Sequence, residues 1–324
     1  MLSEFDLIKQ YFTRPERAAT CGVALGIGDD CALLVPSPGM QMAISSDMLV
    51  EGRHFFAGAN ALLLGHKCLA VNLSDLAAMG ARPRAFTLAL ALPHADRHWL
   101  AGFSAGLFAL ADAHELELIG GDTTKGPLTI CITIFGELTP GAALKRANAR
   151  PGDDIWISGT LGDARLALAG YLGEVALDAD ALAQAAPRMH APTPRVALGV
   201  ALAESGLAHA AIDISDGLVG DLGHVLAASG VGATLNVDAL PAGPVLATRP
   251  QALQRQFTAA GGDDYELCFT APAAARDAIL ALAVRVDTPV TRVGSIVATP
   301  GLRWVDRDQR VLDLQLAGFD HFTT

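Results

Sequence analysis

The stretch Asn72-Leu73-Ser74-Asp75-Leu76-Ala77-Ala78-Met79-Gly80-Ala81 is the part of the chain from which its first half can be assigned. It closes a long apolar segment that Asn60 can cap, and glycine is the usual residue just beyond a helix end, as Gly80 is here. The pattern predicts a helix that begins after residue 60 and ends before Gly80. Asn72 and Asp75 lie three residues apart and therefore on one face of that helix. A carboxylate among apolar neighbours needs a partner, and the alternative is a polar stripe that faces solvent.

Strands are predicted on both sides of this helix, and further helices separate them. The capping-box pair Ser3 and Asp6 predicts a helix over about 3–13, and Asp96 predicts one that runs to about His114. The predicted strands are Ala32–Val35 and Met40–Ser45 as a hairpin-like pair, Ala85–Leu92, and Leu116–Ile119 with Leu128–Phe135 on either side of a turn from Gly120 to Gly126. This order predicts an α+β domain with helices on one face of its sheet.

The chain has 324 residues, which exceeds the ~250–300 residues at which single cores stop growing. Residues 139–150 have little apolar periodicity, so we predict an N-terminal domain at 1–138, a linker at 139–150 and a C-terminal domain at 151–324. In the last segment, strand and helix patterns alternate, which predicts a mixed α/β domain.

Composition narrows the class of protein. Apolar residues make up 51% and charged residues 18% of the chain, which indicates a large core. The net charge of −11 argues against a nucleic-acid partner. No uncharged stretch reaches the ~18 apolar residues of a membrane helix. Five scattered cysteines without a C-x-x-C pair, and acidic residues near the amino terminus, lead us to expect a cytoplasmic protein with reduced thiols.

Acidic clusters beside glycine or serine are the main chemical signal. They are Gly28-Asp29-Asp30, Ser45-Ser46-Asp47, Asp75, Gly120-Gly121-Asp122 and Asp213-Ile214-Ser215-Asp216-Gly217. Taken singly, each has a plain alternative as a cap, a solvated turn or a hairpin turn. Carboxylates that the fold brings together repel each other and need a cation between them. Mg²⁺ takes oxygen ligands and usually arrives with phosphates, so the clusters together predict an ATP–Mg²⁺ phosphotransferase.

Two common nucleotide-binding motifs are missing. The chain has no Walker G-x-x-x-x-G-K-[ST] sequence, and the glycines at Gly26 and Gly28 do not complete G-x-G-x-x-G because Cys31 takes the last position. A P-loop ATPase and a Rossmann dehydrogenase are therefore both disfavoured.

The same clusters resemble the thiamine-monophosphate kinase family, of the aminoimidazole ribonucleotide synthetase and selenophosphate synthetase superfamily. The matching stretches add Pro151-Gly152-Asp153 and Asp264-Tyr265-Glu266-Leu267, and they span nearly the whole chain in order. The resemblance implies an N-terminal four-stranded sheet that closes a barrel with that of a second subunit, a C-terminal α/β domain, and an active site in the cleft between the domains. It implies Mg²⁺ ions, ATP and thiamine monophosphate as ligands and a homodimer; a need for K⁺ is left open.

The resemblance also implies roles for individual residues. Those implied to bind magnesium are Asp30, Ser45, Ser46, Asp47, Asp75, Asp122, Asp213 and Asp216. Those implied to contact ATP are Gly121, Asp122, Arg146 and Ser215, and those implied to hold the thiamine phosphate are His54, Asp263 and Phe319. Three positions depart from the family pattern, since Ser46 replaces threonine, Asp263 replaces glutamate and Phe319 replaces tryptophan. From spacing alone, His54 is more simply a surface histidine.

Two alternatives stay open. The first is another ATP-dependent enzyme of the superfamily, such as a selenophosphate or aminoimidazole ribonucleotide synthetase. Selenophosphate synthetases carry a reactive Cys-Lys pair, whereas Cys21 is followed by Gly22 with no lysine near. The second alternative is a Mg-ATP-binding module without catalysis, against which the full set of acidic positions argues.

Overall fold

The computed structural model describes residues 3–14, 22–316 and 318. The chain forms two compact units. The first consists of Met1–Leu76 with Ala81–Gly141, and the second of Ala77–Gly80 with Ala142–Thr324.

The first unit is a four-stranded sheet with two long helices. Its elements are α1 (Glu4–Leu7), continued by a π-helical turn at Ile8–Phe12, β1 (Val23–Leu25), β2 (Leu33–Leu34), β3 (Gln41–Val50), α2 (Ala61–Met79), β4 (Arg82–Leu92), α3 (Arg97–Ala113), β5 (Glu117–Lys125) and β6 (Thr129–Leu138). The strand order of the sheet is β3-β6-β4-β5, with β4 and β5 parallel and the other pairs antiparallel.

The predicted helix ends are confirmed. The side chain of Ser3 accepts from the N–H of Asp6 in a capping box, and that of Asp96 caps α3. The side-chain oxygen of Asn60 accepts from the N–H groups of the second and third residues of the segment after it. Gly80 ends α2 with a φ of 70°, a left-handed conformation that suits glycine.

Two sheet predictions are wrong because pairing partners are distant in sequence. β2 pairs with β1 rather than with the strand that follows it, and β3 pairs with β6 along its whole length. β5 does not end at Ile119; it runs through Gly120–Asp122 to Lys125 beside β4. The segment Gly120–Gly126 is therefore mostly strand, and β5 and β6 do not pair with each other.

The two faces of this sheet differ. Side chains alternate along β6, where Ile130, Ile132 and Ile134 are buried and the residues between them are partly exposed. The buried face carries the core, because Leu76 of α2 lies against it at Gly136. The opposite face exposes Ile44 and Met48 of β3.

The second unit has a seven-stranded mixed sheet surrounded by helices. Its strands are β7 (Asp153–Ser158), β8 (Ala210–Asp213), β9 (Gly232–Asn236), β10 (Leu267–Pro272), β11 (Val290–Val297), β12 (Gly301–Val305) and β13 (Val311–Leu312), and its helices are α4 (Asp163–Tyr171), α5 (Ala179–His190), α6 (Val196–Ser205), α7 (Leu218–Ser229), α8 (Gln251–Ala260) and α9 (Arg276–Arg285). The order is β13-β12-β9-β11-β7-β10-β8, with only β12 and β9 parallel. This is the mixed α/β unit that the alternating pattern predicts.

Within the described ranges, no helix is both long and apolar enough to cross a membrane. Four of the cysteines there, Cys31, Cys68, Cys131 and Cys268, are free thiols. Cys21 lies outside the described residues.

Candidate active site

Two hydrogen bonds join β3 to α2 at the polar positions of the first unit. The hydroxyl of Ser45 donates a hydrogen bond to Oδ2 of Asp75. The N–H of Asp47 donates to Oδ1 of Asn72 at 3.3 Å, and the amide of Asn72 donates to the carbonyl of Cys68 at 2.9 Å. Asn72 is fully buried and Asp75 half-buried. The polar face of α2 therefore meets the strand that carries Ser45 and Asp47, and it is not a solvent-facing stripe.

Ser46 faces the other way. Successive side chains of a strand point to opposite faces, and Ser46 contacts Thr133 at 3.0 Å and the carbonyl of Ile132 at 3.2 Å on β6. Ser45 and Asp47 thus share the face that α2 covers, and Ser46 lies on the exposed face.

Asp47 and Asp122 lie on opposite outer strands of the sheet, β3 and β5. Three strand spacings of ~4.8 Å place them about 14 Å apart along the sheet. They also face opposite sides. Asp47 is in register with Ile132, which is buried, whereas Asp122 is in register with Ala89, which is exposed. Within one chain, these two carboxylates do not meet at one ion.

The remaining positions of the first unit lie in strands and turns. Asp30 is exposed, and its N–H donates to Oδ1 of Asp29 at 2.8 Å. Nδ1 of His54 accepts from the N–H of Val50 at 3.0 Å, which in a neutral ring leaves the proton on Nε2. Gly121 has a φ of 143°, and a Cβ there would overlap the carbonyl of Leu88, so β4 and β5 approach closely only with glycine at this position.

In the second unit, three aspartates lie around the loop that precedes α7. Oδ2 of Asp221 accepts from the N–H groups of Ser215 and Asp216 at 3.1 Å each. Burial, with the charges of Asp213 and Asp216, raises the pKa of Asp221 to about 7. These carboxylates are thus close enough to repel, which is the condition under which a cation stabilises such a group.

The segment before β10 carries the acceptor-site candidate Asp263. Asp263 and Tyr265 have φ angles of 69° and 51°, which residues other than glycine rarely adopt. Oδ1 of Asp263 accepts from the hydroxyl of Tyr265 at 3.1 Å. Asp264 is fully buried, and its two oxygens accept from the N–H of Gly162 at 2.9 and 3.0 Å. Burial raises the pKa of Asp264 well above its usual range, although that hydrogen bond and the charge of Arg188 oppose the shift.

Arg146 and Phe319 complete the implied residues. Arg146 is exposed in the short 3-10 turn Arg146–Asn148, and its carbonyl accepts from the hydroxyl of Ser229 at 2.8 Å. Phe319 lies outside the described residues.

No three His, Cys, Asp or Glu side chains meet in a metal-binding arrangement anywhere in the part of the chain that the structure describes. The structure does bring together the Ser45–Asp75 pair and, around the loop before α7, it places Asp221 where the charges of Asp213 and Asp216 act on it. Sequence reasoning missed Asp221, and it gave no role to the buried Glu266, although Glu266 stands in a stretch that carries the family resemblance. A signal for Asp221 existed, because it stands in the first turn of a helix that follows an acidic loop.

The family model for AIR synthase related protein, N-terminal domain, matches residues 28–138, and that for the C-terminal domain matches residues 150–307. The two matches define the class of protein as a two-domain AIR synthase-related chain. Solved structures of HypE from E. coli have this fold too, with a TM-score of 0.77 at 20% identity over 98% of each chain.

Closer relatives are named thiamine-monophosphate kinase. The Salmonella typhimurium protein is 45% identical over 99% of this chain and 98% of its own length. The solved structure from Stenotrophomonas maltophilia K279a is 46% identical, covers 90% of this chain and 92% of its own, and has a TM-score of 0.83. AaThiL, complexed with AMPPCP and TMP, is 27% identical with a TM-score of 0.75, over 89% of each chain. This chain belongs to the thiamine-monophosphate kinase family.

Proposed function

We propose that the protein transfers the γ-phosphoryl group of ATP to thiamine monophosphate, giving ADP and thiamine diphosphate, the last step of thiamine diphosphate synthesis. The observation that carries this proposal is the full-length similarity to thiamine-monophosphate kinases, 45% identity over 99% of this chain for the Salmonella typhimurium protein. AMPPCP and TMP in AaThiL support a nucleotide and a phosphate ester as ligands.

The reaction does not need a strong general base. A phosphate oxygen of the acceptor forms the new P–O bond, and the bond between the γ-phosphorus and the β–γ bridging oxygen breaks, leaving its electron pair on ADP. A phosphate monoester has a second pKa near ~6, so the acceptor is already mostly dianionic at pH 7. The main obstacle is repulsion between two polyanions, and we therefore propose direct in-line transfer without a phospho-enzyme.

The carboxylate and hydroxyl oxygens of the acidic clusters are ligands of the kind that Mg²⁺ prefers. Burial, together with the charges of Asp213 and Asp216, raises the pKa of Asp221; a cation would relieve this repulsion, and hard divalent cations prefer carboxylate oxygens. We propose Asp30, Ser45, Ser46, Asp47, Asp75, Asp122, Asp213 and Asp216 as the residues that hold magnesium. When bound, Mg²⁺ would neutralise phosphate charge and align the transfer.

The chain's own residues would bind and orient the two substrates. We propose that Gly121, Asp122, Arg146 and Ser215 contact ATP, with Arg146 supplying a fixed positive charge on its phosphates. His54, Asp263 and Phe319 would hold thiamine monophosphate. A phenylalanine at position 319 keeps an aromatic face for the cationic thiazolium ring.

We also propose a homodimer formed through the open face of the first sheet. Ile44 and Met48 are 63% and 56% exposed on that face, and two such faces packed together would bury them. A barrel closed by two sheets would also remove the outer edges of β3 and β5.

The test is phosphorus NMR of purified protein with ATP, Mg²⁺, K⁺ and thiamine monophosphate, compared with a sample that lacks the acceptor. Equal amounts of ADP and thiamine diphosphate would establish reaction and acceptor together. Intact ATP in a folded sample that still binds Mg-ATP would contradict the proposal. Formylglycinamidine ribonucleotide and selenide would then be tried as acceptors, and a negative result with both would favour a non-catalytic nucleotide-binding module.

A further inference from the structure

The segment Asp263–Glu266 combines unusual backbone angles with buried charged anchors. Asp263 and Tyr265 adopt the left-handed backbone conformation. The residues that alternate with them, Asp264 and Glu266, are completely buried. An unfavourable conformation of this kind persists only where the surroundings fix it. The buried residues are therefore what holds Asp263 in place.

Glu266 is held by three side chains from three elements. Nε and Nη2 of Arg195 each donate to one of its oxygens at 2.6 Å. Nη2 of Arg188, in α5, donates to Oε1 at 2.8 Å and to the carbonyl of Asp264 at 3.0 Å. The hydroxyl of Ser158, in β7, donates to Oε2 at 2.6 Å. A two-pronged arginine contact fixes orientation as well as charge.

The backbone passes this constraint on to Asp263 and to the acidic loop before α7. The N–H of Ile214 donates to the carbonyl of Glu266, that of Tyr265 to the carbonyl of Ile214, and that of Asp263 to the carbonyl of Ser215, each at 2.8 Å. A shift of Glu266 would therefore move Asp263 relative to Ser215.

The ion pair between Glu266 and Arg195 lies close against the backbone of Gly159. The φ of Gly159 is 52°, and a Cβ there would overlap the carboxylate of Glu266 and lie 2.6 Å from Nη2 of Arg195. A residue without a Cβ at this position thus leaves room for the Glu266 carboxylate and the Arg195 guanidinium.

We propose that Arg195 and Arg188 clamp Glu266 so that the strained segment presents Asp263 to the acceptor substrate. Neither arginine has to touch a substrate for this role, so both are positioning residues. The inference rests on the proposed function, in which Asp263 contacts thiamine monophosphate.

The experiment replaces Arg195 by lysine, which keeps the charge but loses the two-pronged contact. We expect the KM for thiamine monophosphate to rise roughly tenfold, because small misplacement of a binding group is costly, and the KM for Mg-ATP to rise less, through the hydrogen bonds to the loop that carries Ser215. The matched control is Arg255→Lys. Arg255 makes the same two-pronged contact, at 2.8 and 2.9 Å, with Asp238, whose side chain is 5% exposed, in the same unit. Its acceptor KM should stay at the wild-type value.

A double-mutant cycle separates positioning from general loosening. If Arg195 acts through Asp263, Arg195→Lys should leave the acceptor KM of Asp263→Ala unchanged, whereas independent effects would multiply. Arg188→Lys provides the same cycle if Arg195→Lys does not fold. An unchanged acceptor KM in the single variant, a multiplicative cycle, or an equal rise in Arg255→Lys would overturn the clamp.

Failure of the clamp and failure of the proposed function give different results. Wild-type protein that neither binds thiamine monophosphate in titration calorimetry nor phosphorylates it would overturn both. If the wild-type protein phosphorylates thiamine monophosphate but the effects of Arg195→Lys and Asp263→Ala on the acceptor KM multiply, only the clamp is overturned.

Discussion

The hydroxyl of Ser45, in the middle of β3, donates its hydrogen bond to the carboxylate of Asp75, near the end of α2. The contact joins positions 30 residues apart and directs a half-buried carboxylate toward the strand that also carries Asp47. A carboxylate in this setting is held in one orientation before any ligand arrives, as a metal site requires.

Replacing Asp75 by asparagine tests the charge of this carboxylate. Asparagine can still accept from Ser45, so we expect a melting temperature close to that of wild type. Loss of the anionic ligand should raise the Mg²⁺ concentration for half-maximal rate by roughly 10–100-fold, the usual cost of damaging a metal site. Asp112→Asn is the control, since Asp112 is an exposed carboxylate paired with Arg14. A wild-type Mg²⁺ dependence in Asp75→Asn would remove Asp75 from the metal ligands.

Asp47→Ala and Asp122→Ala test the two carboxylates on the outer strands. Each should abolish metal-dependent turnover while the protein stays folded, because Asp47 is half-buried and Asp122 exposed. Since the two do not meet within one chain, we expect Mn²⁺ titrations followed by electron paramagnetic resonance to lose different bound ions in the two variants. Loss of the same ion in both would show that one ion contacts both residues, which requires a second subunit. Turnover retained in either variant would contradict its role.

The sequence predicted helices well and strand partners poorly, for a physical reason. Helix caps such as Asn60 and Gly80 act within a few residues, so α2 was predictable to its ends. The partner of a strand is chosen by contacts far away in sequence. The hairpin at 32–45 and the turn at Gly120–Gly126 were therefore predicted from local signals, which long-range pairing overrode.

The same distinction applies to the candidate site. Asp75 could be predicted to need a partner, but nothing local identified Ser45. Asp213, Ser215 and Asp216 form a motif that can be read from the sequence. The interactions of Asp221 with other carboxylates and of Glu266 with two arginines are visible only in the folded structure.

Asp154 gives a prediction for acid stability. Its hydrogen bond with Arg276, opposed by burial and aided by the charges of Arg276 and Arg292, holds the pKa of Asp154 below its usual range. A lowered carboxyl pKa stabilises the fold above the unfolded-state value of about 3.9, and the stabilisation is lost as the pH falls through the folded-state value. Asp154→Asn should lower the free energy of unfolding by about 1–3 kcal/mol at pH 7, at the low end for a buried pair because both arginines are about half-exposed.

Urea unfolding of Asp154→Asn between pH 3 and pH 7, followed by tryptophan fluorescence, measures this effect. The difference from wild type should shrink below about pH 4. Asp308→Asn is the control, because Asp308 pairs with Arg310 on the surface, where such pairs contribute about 0–1 kcal/mol. A difference that stays constant with pH would mean that Asp154 contributes through packing rather than through its charge.

The exposed apolar face of the first sheet gives the last prediction. Ile44 and Met48 lie two strand positions on either side of Ser46 and expose more than half of their surface. Ile44→Lys combined with Met48→Lys would place four charges in a face shared by two copies, where burying unpaired charge is strongly unfavourable. We therefore expect the double variant to be monomeric in light scattering under conditions in which the wild type is a dimer.

The control for this variant is a charge placed elsewhere on the same unit. Leu62, in α2, is 49% exposed, so Leu62→Lys introduces a similar charge without touching the open sheet face. Its mass should equal that of the wild type. A dimeric double variant would show that the copies associate through another surface, and a monomeric wild type would show that the open face needs no partner. If the double variant is a folded monomer that also loses turnover, the second subunit contributes to the active site, in agreement with the separation of Asp47 and Asp122 within one chain.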